Sequence, residues 1–224
     1  MLTEKNPSYF YDTKDFAHLL FLEDHWEIIQ KEVTELLKTK DSGQWLSTFP
    51  AYVNSKTPAA WKVFTFQFFN MDNIPNREQC KHTSDLIKQI QELISCDFSI
   101  IKPKTHIKAH CGYSKLILRC HLPLIVPAGE LCQIRVGDEV RTWKEGELLI
   151  FDDSHEHEAW NNSDESRVVL MFDIPNPYWH YSAYEISKYK IDHIEDPFLL
   201  QFADKATWQE GFKQGVLPVN NFSI

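Results

Sequence analysis

Residues 98–127, FSIIKPKTHIKAHCGYSKLILRCHLPLIVP, decide the fold. FSIIKP reads as a strand closed by Pro103, THIKAH as a second, and KLILRCHLPLIVP as a long third ended by Pro127-Ala128-Gly129. The same texture continues downstream. LCQIRV and EVRTW flank Gly137-Asp138, a two-residue hairpin turn of the Gly-first kind. GELLIFDD follows a turn at Gly146, and RVVLMFDI is the last strand. About seven strands in such a short span predict a small sandwich or jelly-roll barrel over residues 96–179.

Upstream, residues 14–38 have helical spacing. Leu19, Leu22, Trp26, Ile29, Val33 and Leu36 or Leu37 recur every three or four positions, and Ser42-Gly43 breaks the run. AAWKVFTFQFFN, 59–70, is aromatic and reads as strand. A turn is expected around Pro75, over 73–76. A helix is expected over 83–95, capped by Thr83 or Ser84, with Leu86, Ile87, Ile90 and Leu93 on one stripe. Short helices are expected near 183–190 and 205–213. The reading is one domain over 1–224: a mostly helical flank with early strands (1–95), the β core (96–179) and a C-terminal extension (180–224).

The 224 residues carry 32 acidic and 23 basic side chains, a net charge of −9. Such a chain lacks the basic surface that counterion release requires, so nucleic acid and anionic membrane are not expected partners. The N-terminus has no basic segment followed by an apolar run, and no stretch approaches the roughly 20 apolar residues of a membrane span. The five cysteines, at 80, 96, 111, 120 and 132, include no CxxC pair. Reduced thiols in a cytoplasmic protein are the expectation. Oligomeric state is not readable.

Ten histidines are many for this length. His106, His110, His121 and His157 fall on strand positions, with His155 just before the last. Imidazole is a common ligand of iron, zinc and copper, although any one of these can equally be a core or surface residue. His106 and His110 have HxxxH spacing but lack the glutamate of a zinc protease, and Pro103, Thr105 and Ile107 favour strand. Arg119 and His121, two apart on an apolar strand, share one face. Arg167 heads another apolar strand. A guanidinium in such a place needs an anion. That anion is either a small dicarboxylate or a protein carboxylate such as Asp152, Asp153 or Asp173, and spacing leaves both open. Asp152, Asp153, Glu156 and Glu158 flank His157 as loop or supporting carboxylates, and Trp143 and Trp160 read as core or rim.

FSIIKPKTHIKAHCGYSKLILRCHLPLIVP followed by RTWKEGELLIFDDSHEHEAWNNSDESRVVLMFDIPNP resembles the aspartyl/asparaginyl β-hydroxylase family, several motifs in order at matching spacing. EDHWEIIQKE and CKHTSDLI look like its upstream motifs. The resemblance implies a mainly β fold with flanking helices around a double-stranded β-helix (jelly-roll/cupin-like) core. It implies Fe(II), 2-oxoglutarate and O2 as cofactor and cosubstrates. His110 and His157 match the iron-ligating histidines. Ser99, Arg119, His121 and Arg167 match the 2-oxoglutarate contacts, with Arg167 on the distal carboxylate. Gly112 stands where an ordinary HxD enzyme has its carboxylate ligand, and a hole at the metal is expected there. Two positions depart from the pattern. Lys104 replaces a turn glycine, and His155 replaces an aromatic residue.

The leading expectation is therefore a dioxygenase that hydroxylates an unactivated carbon, above all the β-carbon of an amino-acid side chain in a peptide, carrier-bound or free amino acid. The alternatives are a halogenase, which would seat chloride beside Gly112, and a barrel that binds a carboxylate without turnover.

Overall fold

The computed structural model describes residues 8–39 and 45–218. Ser42-Gly43 and the N-terminal MLTEKNP lie outside them. In chain order the elements are β1 (Phe10–Tyr11), α1 (Phe21–Asp24), α2 (Trp26–Lys38), β2 (Leu46–Ser47), β3 (Val53–Asn54), β4 (Trp61–Phe68) and β5 (Met71–Asp72). There follow α3 (Ile74–Gln79), α4 (Lys81–Ile87), β6 (Ser95–Ile101), β7 (Thr105–His110), β8 (Ile117–Ile125), β9 (Cys132–Val136) and β10 (Glu139–Thr142). The last are β11 (Leu149–Phe151), β12 (His157–Asn161), β13 (Arg167–Pro175), α5 (Ala183–Asp192) and α6 (Lys205–Gln214).

The strands form two sheets. The larger runs β1-β11-β8-β13-β6-β4-β2, with β5 beside β4, and the smaller runs β10-β9-β12-β7-β3. Every strand pair within them is antiparallel. This is the expected class, mainly β with flanking helices. The mixed strand order, not a simple meander, is that of a jelly roll.

Period-two alternation decides what each face of the larger sheet carries. In β13 the even residues Val168, Leu170, Phe172 and Ile174 join a core with Leu118, Cys120, Leu122 and Leu124 of β8 and Phe98 and Ile100 of β6. That core packs against Ile29, Val33 and Leu36 of α2 and Leu86 and Ile87 of α4. The odd residues face the other way, between the sheets. There Trp61, Ile101, Phe151 and Val169 meet Ile107, Ile134, Val136 and Ala159 of the smaller sheet. A third cluster seats the C-terminal helices: Ile186 and Ile191 of α5 and Trp208 of α6 pack with Phe69, Met71 and Ile117.

Several local expectations are corrected. The helix over 14–38 is three pieces: a 3₁₀ segment Thr13–Leu19 kinked at Phe16, then α1, then α2 after a break at His25. The turn at 73–76 is the start of α3, capped by Asn73, whose side chain accepts from the Asn76 N–H, with Pro75 in the first turn. The helix over 83–95 is α4 and ends at Ile87; β6 already begins at Ser95. Thr83 and Ser84 lie inside α4 rather than capping it. The orphan N–H groups of that helix are taken by Glu32 of α2, which accepts from the His82 and Thr83 amides at 3.0 and 2.7 Å. No local pattern announces a cap supplied from 50 residues away. The two-residue strands β1, β2, β3 and β5 were not expected, since segments so short have no periodicity. The hairpin at Gly137 has the expected positive φ, 58°. Lys104 stands at φ 53°, where a glycine is unstrained, and its ammonium is tethered to the Asn162 carbonyl and Asp164.

Phe98 is fully buried at the centre of the helix-facing core, with its ring 4.9 Å from Phe66 and 6.2 Å from Phe64. Phe98→Ala is expected to cost about 3–5 kcal/mol of unfolding free energy. Urea unfolding measures it; a loss under 1 kcal/mol would show that this core relaxes around the gap.

Candidate metal and carboxylate site

His110 ends β7 and His157 opens β12, and the two are direct cross-strand partners in the smaller sheet. Their ring centroids lie 4.2 Å apart. Each ring uses Nδ1 on a backbone carbonyl, His110 on Lys108 at 2.8 Å and His157 on His155 at 3.0 Å. A carbonyl only accepts, so each Nδ1 carries the proton and each Nε2 keeps its lone pair. Burial lowers the pKa of both. In His157 it acts with the neighbouring His110 to bring the value down to about 3. Both imidazoles are therefore neutral at pH 7, the form that ligates a metal. Tyr52 stacks on His110 at 4.7 Å. Among the described residues no group of three or more His, Cys, Asp or Glu side chains is placed to hold a metal.

Across the interior, the larger sheet presents a buried cradle for an anion. Arg167 is 2% exposed, and its Nε and Nη1 have no hydrogen-bond partner among the described residues. Its guanidinium lies over the Trp143 ring at 4.5 Å, and burial lowers its pKa to about 10. The indole N–H of Trp143 donates to His121 Nδ1 at 3.1 Å. That fixes His121 as the Nε2–H tautomer, and this second donor is also buried and unpartnered. Ser99 accepts from the Trp61 indole at 3.2 Å, which leaves its own hydroxyl proton to give. Ser99 and Arg167 are diagonal neighbours on the inner face, through the pairs Arg167–Ile101 and Val169–Ser99.

Arg119 is placed differently from its expected companions. It lies directly opposite Asp173, to which Nε and an Nη donate at 2.9 and 3.1 Å, and a further Nη stands 3.0 Å from Asp153. Burial works against its charge but the two carboxylates outweigh it, and its pKa is raised. The protein-carboxylate alternative thus describes Arg119, and among the described residues no carboxylate meets Arg167.

The space that a side chain at Gly112 would enter is filled, and a ligand position on a metal there is a separate matter. The Asp153 side chain occupies the space that a Cβ on Gly112 would enter, 2.3 Å from its ideal position, while the Gly112 N–H donates to the Asp153 carbonyl at 2.6 Å. Glycine is required here by that close approach. Asp152 and Asp153 are both buried, not part of a solvated loop. Burial raises the Asp153 pKa, opposed by Arg119. Trp143 is buried and central, through its contacts to Arg167 and His121. Trp160 is half-buried and bonds Gln133 on the far side of β12.

Beside His110 a cavity of about 280 Å³ opens, bounded by Phe49, Trp61, Phe69, Phe198 and Trp208. Asp97 and Asp173 lie in its wall. Asp97 was missed from sequence, though the signal was present: Ser95, Asp97 and Ser99 alternate along a strand whose other positions are apolar. The helix expected through 95 hid it. Thr65 donates to Asp97 Oδ1 at 2.5 Å, and burial raises this carboxyl to about 7.

In the searches for relatives, the family model described as Aspartyl/Asparaginyl beta-hydroxylase matches residues 23–177. An ornithine lipid ester-linked acyl 2-hydroxylase of Rhizobium tropici is 36% identical over 169 residues, 75% of this chain and 60% of that protein. The aspartyl/asparaginyl beta-hydroxylase of Homo sapiens is 34% identical over 167 residues, 71% of this chain and 20% of that protein. Aspartate beta-hydroxylase domain-containing protein 2 of Mus musculus is 31% identical over 190 residues, 75% and 54% of the two chains. The match therefore spans less than two thirds of each relative. A solved 2OG-Fe(II) oxygenase family oxidoreductase from Burkholderia pseudomallei superposes at a TM-score of 0.39 and 12% identity, over 54% of this chain and 71% of that one, too distant to carry an argument.

Two outcomes follow from this geometry. Gly112→Ala is expected to destabilise by about 1–3 kcal/mol, because buried Asp153 cannot yield. In a double-mutant cycle Asp153→Ala should relieve part of that loss, and strictly additive free energies would contradict the clash. The second outcome concerns Asp97. Its folded pKa stands above the ordinary 3.8, so the folded state binds the extra proton between about pH 4 and 7 and loses stability as pH rises through that window. Asp97→Asn removes the penalty. Urea melts should show the variant more stable than wild type at pH 8, with the difference shrinking toward pH 4; a constant difference would refute the shift.

Proposed function

Because the chain belongs to the aspartyl/asparaginyl β-hydroxylase family, we propose that it is an Fe(II)- and 2-oxoglutarate-dependent dioxygenase that hydroxylates an unactivated carbon. The observation that carries this reading is the pair of orphaned donors on Arg167 and His121, facing the interior of a barrel whose other sheet holds two neutral imidazoles with free Nε2 atoms. A small dicarboxylate suits the cradle, and a divalent metal suits the imidazoles. His110 and His157 would hold the iron. Arg167, with Ser99, would take one carboxylate of 2-oxoglutarate, and the Nε2–H of His121 would donate to the cosubstrate.

Iron bound with 2-oxoglutarate and O2 supplies the oxidation: 2-oxoglutarate is decarboxylated to succinate and CO2, one oxygen atom entering succinate and the other a substrate C–H bond, which becomes C–OH. The protein's own part is placement. The Lys108 and His155 carbonyls orient the imidazoles, and Trp143 orients His121 while covering the Arg167 guanidinium. Arg119, held by Asp173 and Asp153, positions those carboxylates, and reaches a cosubstrate only by giving one of them up.

Two classes of substrate are named among the relatives, an acyl chain at carbon 2 and aspartyl or asparaginyl residues at the β-carbon. Both carbons stand next to a carboxyl-derived carbon. A methylene in that position, in an amino-acid side chain or an acyl group, is the proposed target. Asp153 favours hydroxylation over halogenation, since a carboxylate beside Gly112 opposes a chloride there. Five thiols without a disulfide suit a cytoplasmic setting, and no helix of the described residues is long and apolar enough to cross a membrane.

Anaerobic loading with Fe(II) and 2-oxoglutarate, then exposure to O2 with candidate amino acids, peptides and acyl compounds, tests the reaction through succinate. His157→Ala should abolish Fe(II)-dependent succinate; substantial residual turnover would overturn the ligand assignment. Arg167→Met gives a sharper check. Removing a buried cation without a partner should raise Tm in the absence of cosubstrate. The same change should weaken 2-oxoglutarate binding about tenfold to a thousandfold and abolish the Tm rise that 2-oxoglutarate gives wild type. A variant that lost stability and kept 2-oxoglutarate affinity would refute the cradle.

A further inference from the structure

The cavity beside His110 has an uneven distribution of charge in its lining. Its walls are mainly aromatic and aliphatic, with Phe49, Tyr52, Trp61, Phe69, Phe198 and Trp208 around it. Among the described residues that line it, Arg119 is the one Lys or Arg, and Asp173 and Asp153 already hold it. Beyond that paired Asp173 the lining holds Asp97 and Asp196, and Lys190, outside the lining, lies 3.9 Å over the Tyr113 ring within reach of the Asp196 charge. In the metal-free protein an anionic group entering here meets no unpaired Lys or Arg among the lining residues, and it meets Asp97, which has no ion-pair partner among the described residues, so it exchanges hydration for repulsion.

Asp97 is that carboxylate. It is 8% exposed, its Oδ1 accepts from Thr65, and no hydrogen bond reaches Oδ2 from the described residues. No Lys or Arg of the described residues forms an ion pair with it, and Arg119 acts on it only from a distance. A second polar atom in the lining is also unsatisfied, since the Tyr113 hydroxyl is buried with no partner. Burial raises the pKa of both groups, as it does wherever charge lacks compensation. An apolar chamber with an unpaired carboxylate and several aromatic faces is the chemistry that takes an ammonium on an apolar body: the carboxylate accepts the N–H bonds, and the rings favour a cation.

We propose that this cavity binds the substrate through an alkyl or aryl portion carrying a protonated amine, with Asp97 as the acceptor of the ammonium, and that it rejects anionic side chains. The assignment rests on the hydroxylase reading for what happens to the bound molecule, but not for binding itself. It narrows that reading, setting acidic side chains outside the substrate range and keeping two sources of one chemistry: an apolar amino acid with a free amine, or an acyl or alkyl amphiphile with an amino group.

The test measures binding on the full chain without metal or cosubstrate, by calorimetry and by intrinsic tryptophan fluorescence, to which Trp61 and Trp208 in the cavity wall contribute. The probes are n-octylamine, n-octanol and n-octanoate, which share one tail, with L-phenylalanine amide and N-acetyl-L-aspartate amide. Octylamine should bind at least about tenfold tighter than octanoate, and the acetylated aspartate should not bind measurably. Asp97→Asn should cost octylamine about tenfold and leave octanol unchanged, and far-ultraviolet circular dichroism checks that the variant folds. Binding of octylamine or of phenylalanine amide supports the assignment and identifies the source. Octanoate binding as tightly as octylamine, an unchanged amine preference in Asp97→Asn, or binding of neither amine overturns it. Succinate assays are scored separately: amine-selective binding without turnover would sink the hydroxylase reading and keep this one, and turnover of an aspartyl substrate would do the reverse.

Discussion

A guanidinium buried between two sheets with no counter-ion among the described residues is the constraint from which the rest of this structure follows. Arg167 lies on the inner face of the larger sheet, and leaving it unpaired costs stability that the helix-facing aromatic core and the C-terminal cluster must offset. In the proposed reading an incoming carboxylate supplies the missing counter-ion. The neighbouring Trp143 shields it, and the same indole sets the tautomer of His121, so one ring arranges two donors toward one place.

Register separates the two arginines of that face. Arg119 has Asp173 as its cross-strand partner on β13, whereas Arg167 has Ile101 on β6. The first is neutralised inside the protein and serves as a brace for Asp153 and Asp173. The second keeps Nε and Nη1 without a hydrogen-bond partner among the described residues. Asp153 connects this brace to the histidine side of the site, since its carboxyl fills the space beside Gly112, two residues after His110. Ion pairs through Arg119 thus link Asp153, beside Gly112, to Asp173 of β13.

Alternation made most of this legible in the sequence. Arg119 and His121 share a face because they are two apart, and the strands of the core are marked by Pro103, Gly137 and Gly146. Family motifs supplied His110 and His157, which the structure sets side by side. What stayed hidden depends on distant partners. Glu32 caps α4 from another helix, so neither the start nor the early end of that helix could be read locally. Asp97 was masked by the overextended helix. The cavity wall formed by Phe198 and Trp208 comes from the C-terminal segment, whose sequence does not say where it docks. Spacing could not tell which arginine pairs internally, because that is set by strand register.

The central claim is that His110 and His157 form a two-imidazole iron centre facing a carboxylate cradle. X-ray absorption on the Fe(II)-loaded protein with 2-oxoglutarate tests it most directly. The account predicts two imidazoles per iron in wild type, one in His110→Ala, no sulfur ligand, and a change in the oxygen shell when 2-oxoglutarate is added. A third imidazole, a cysteine sulfur from Cys111, or an iron shell indifferent to 2-oxoglutarate would contradict it.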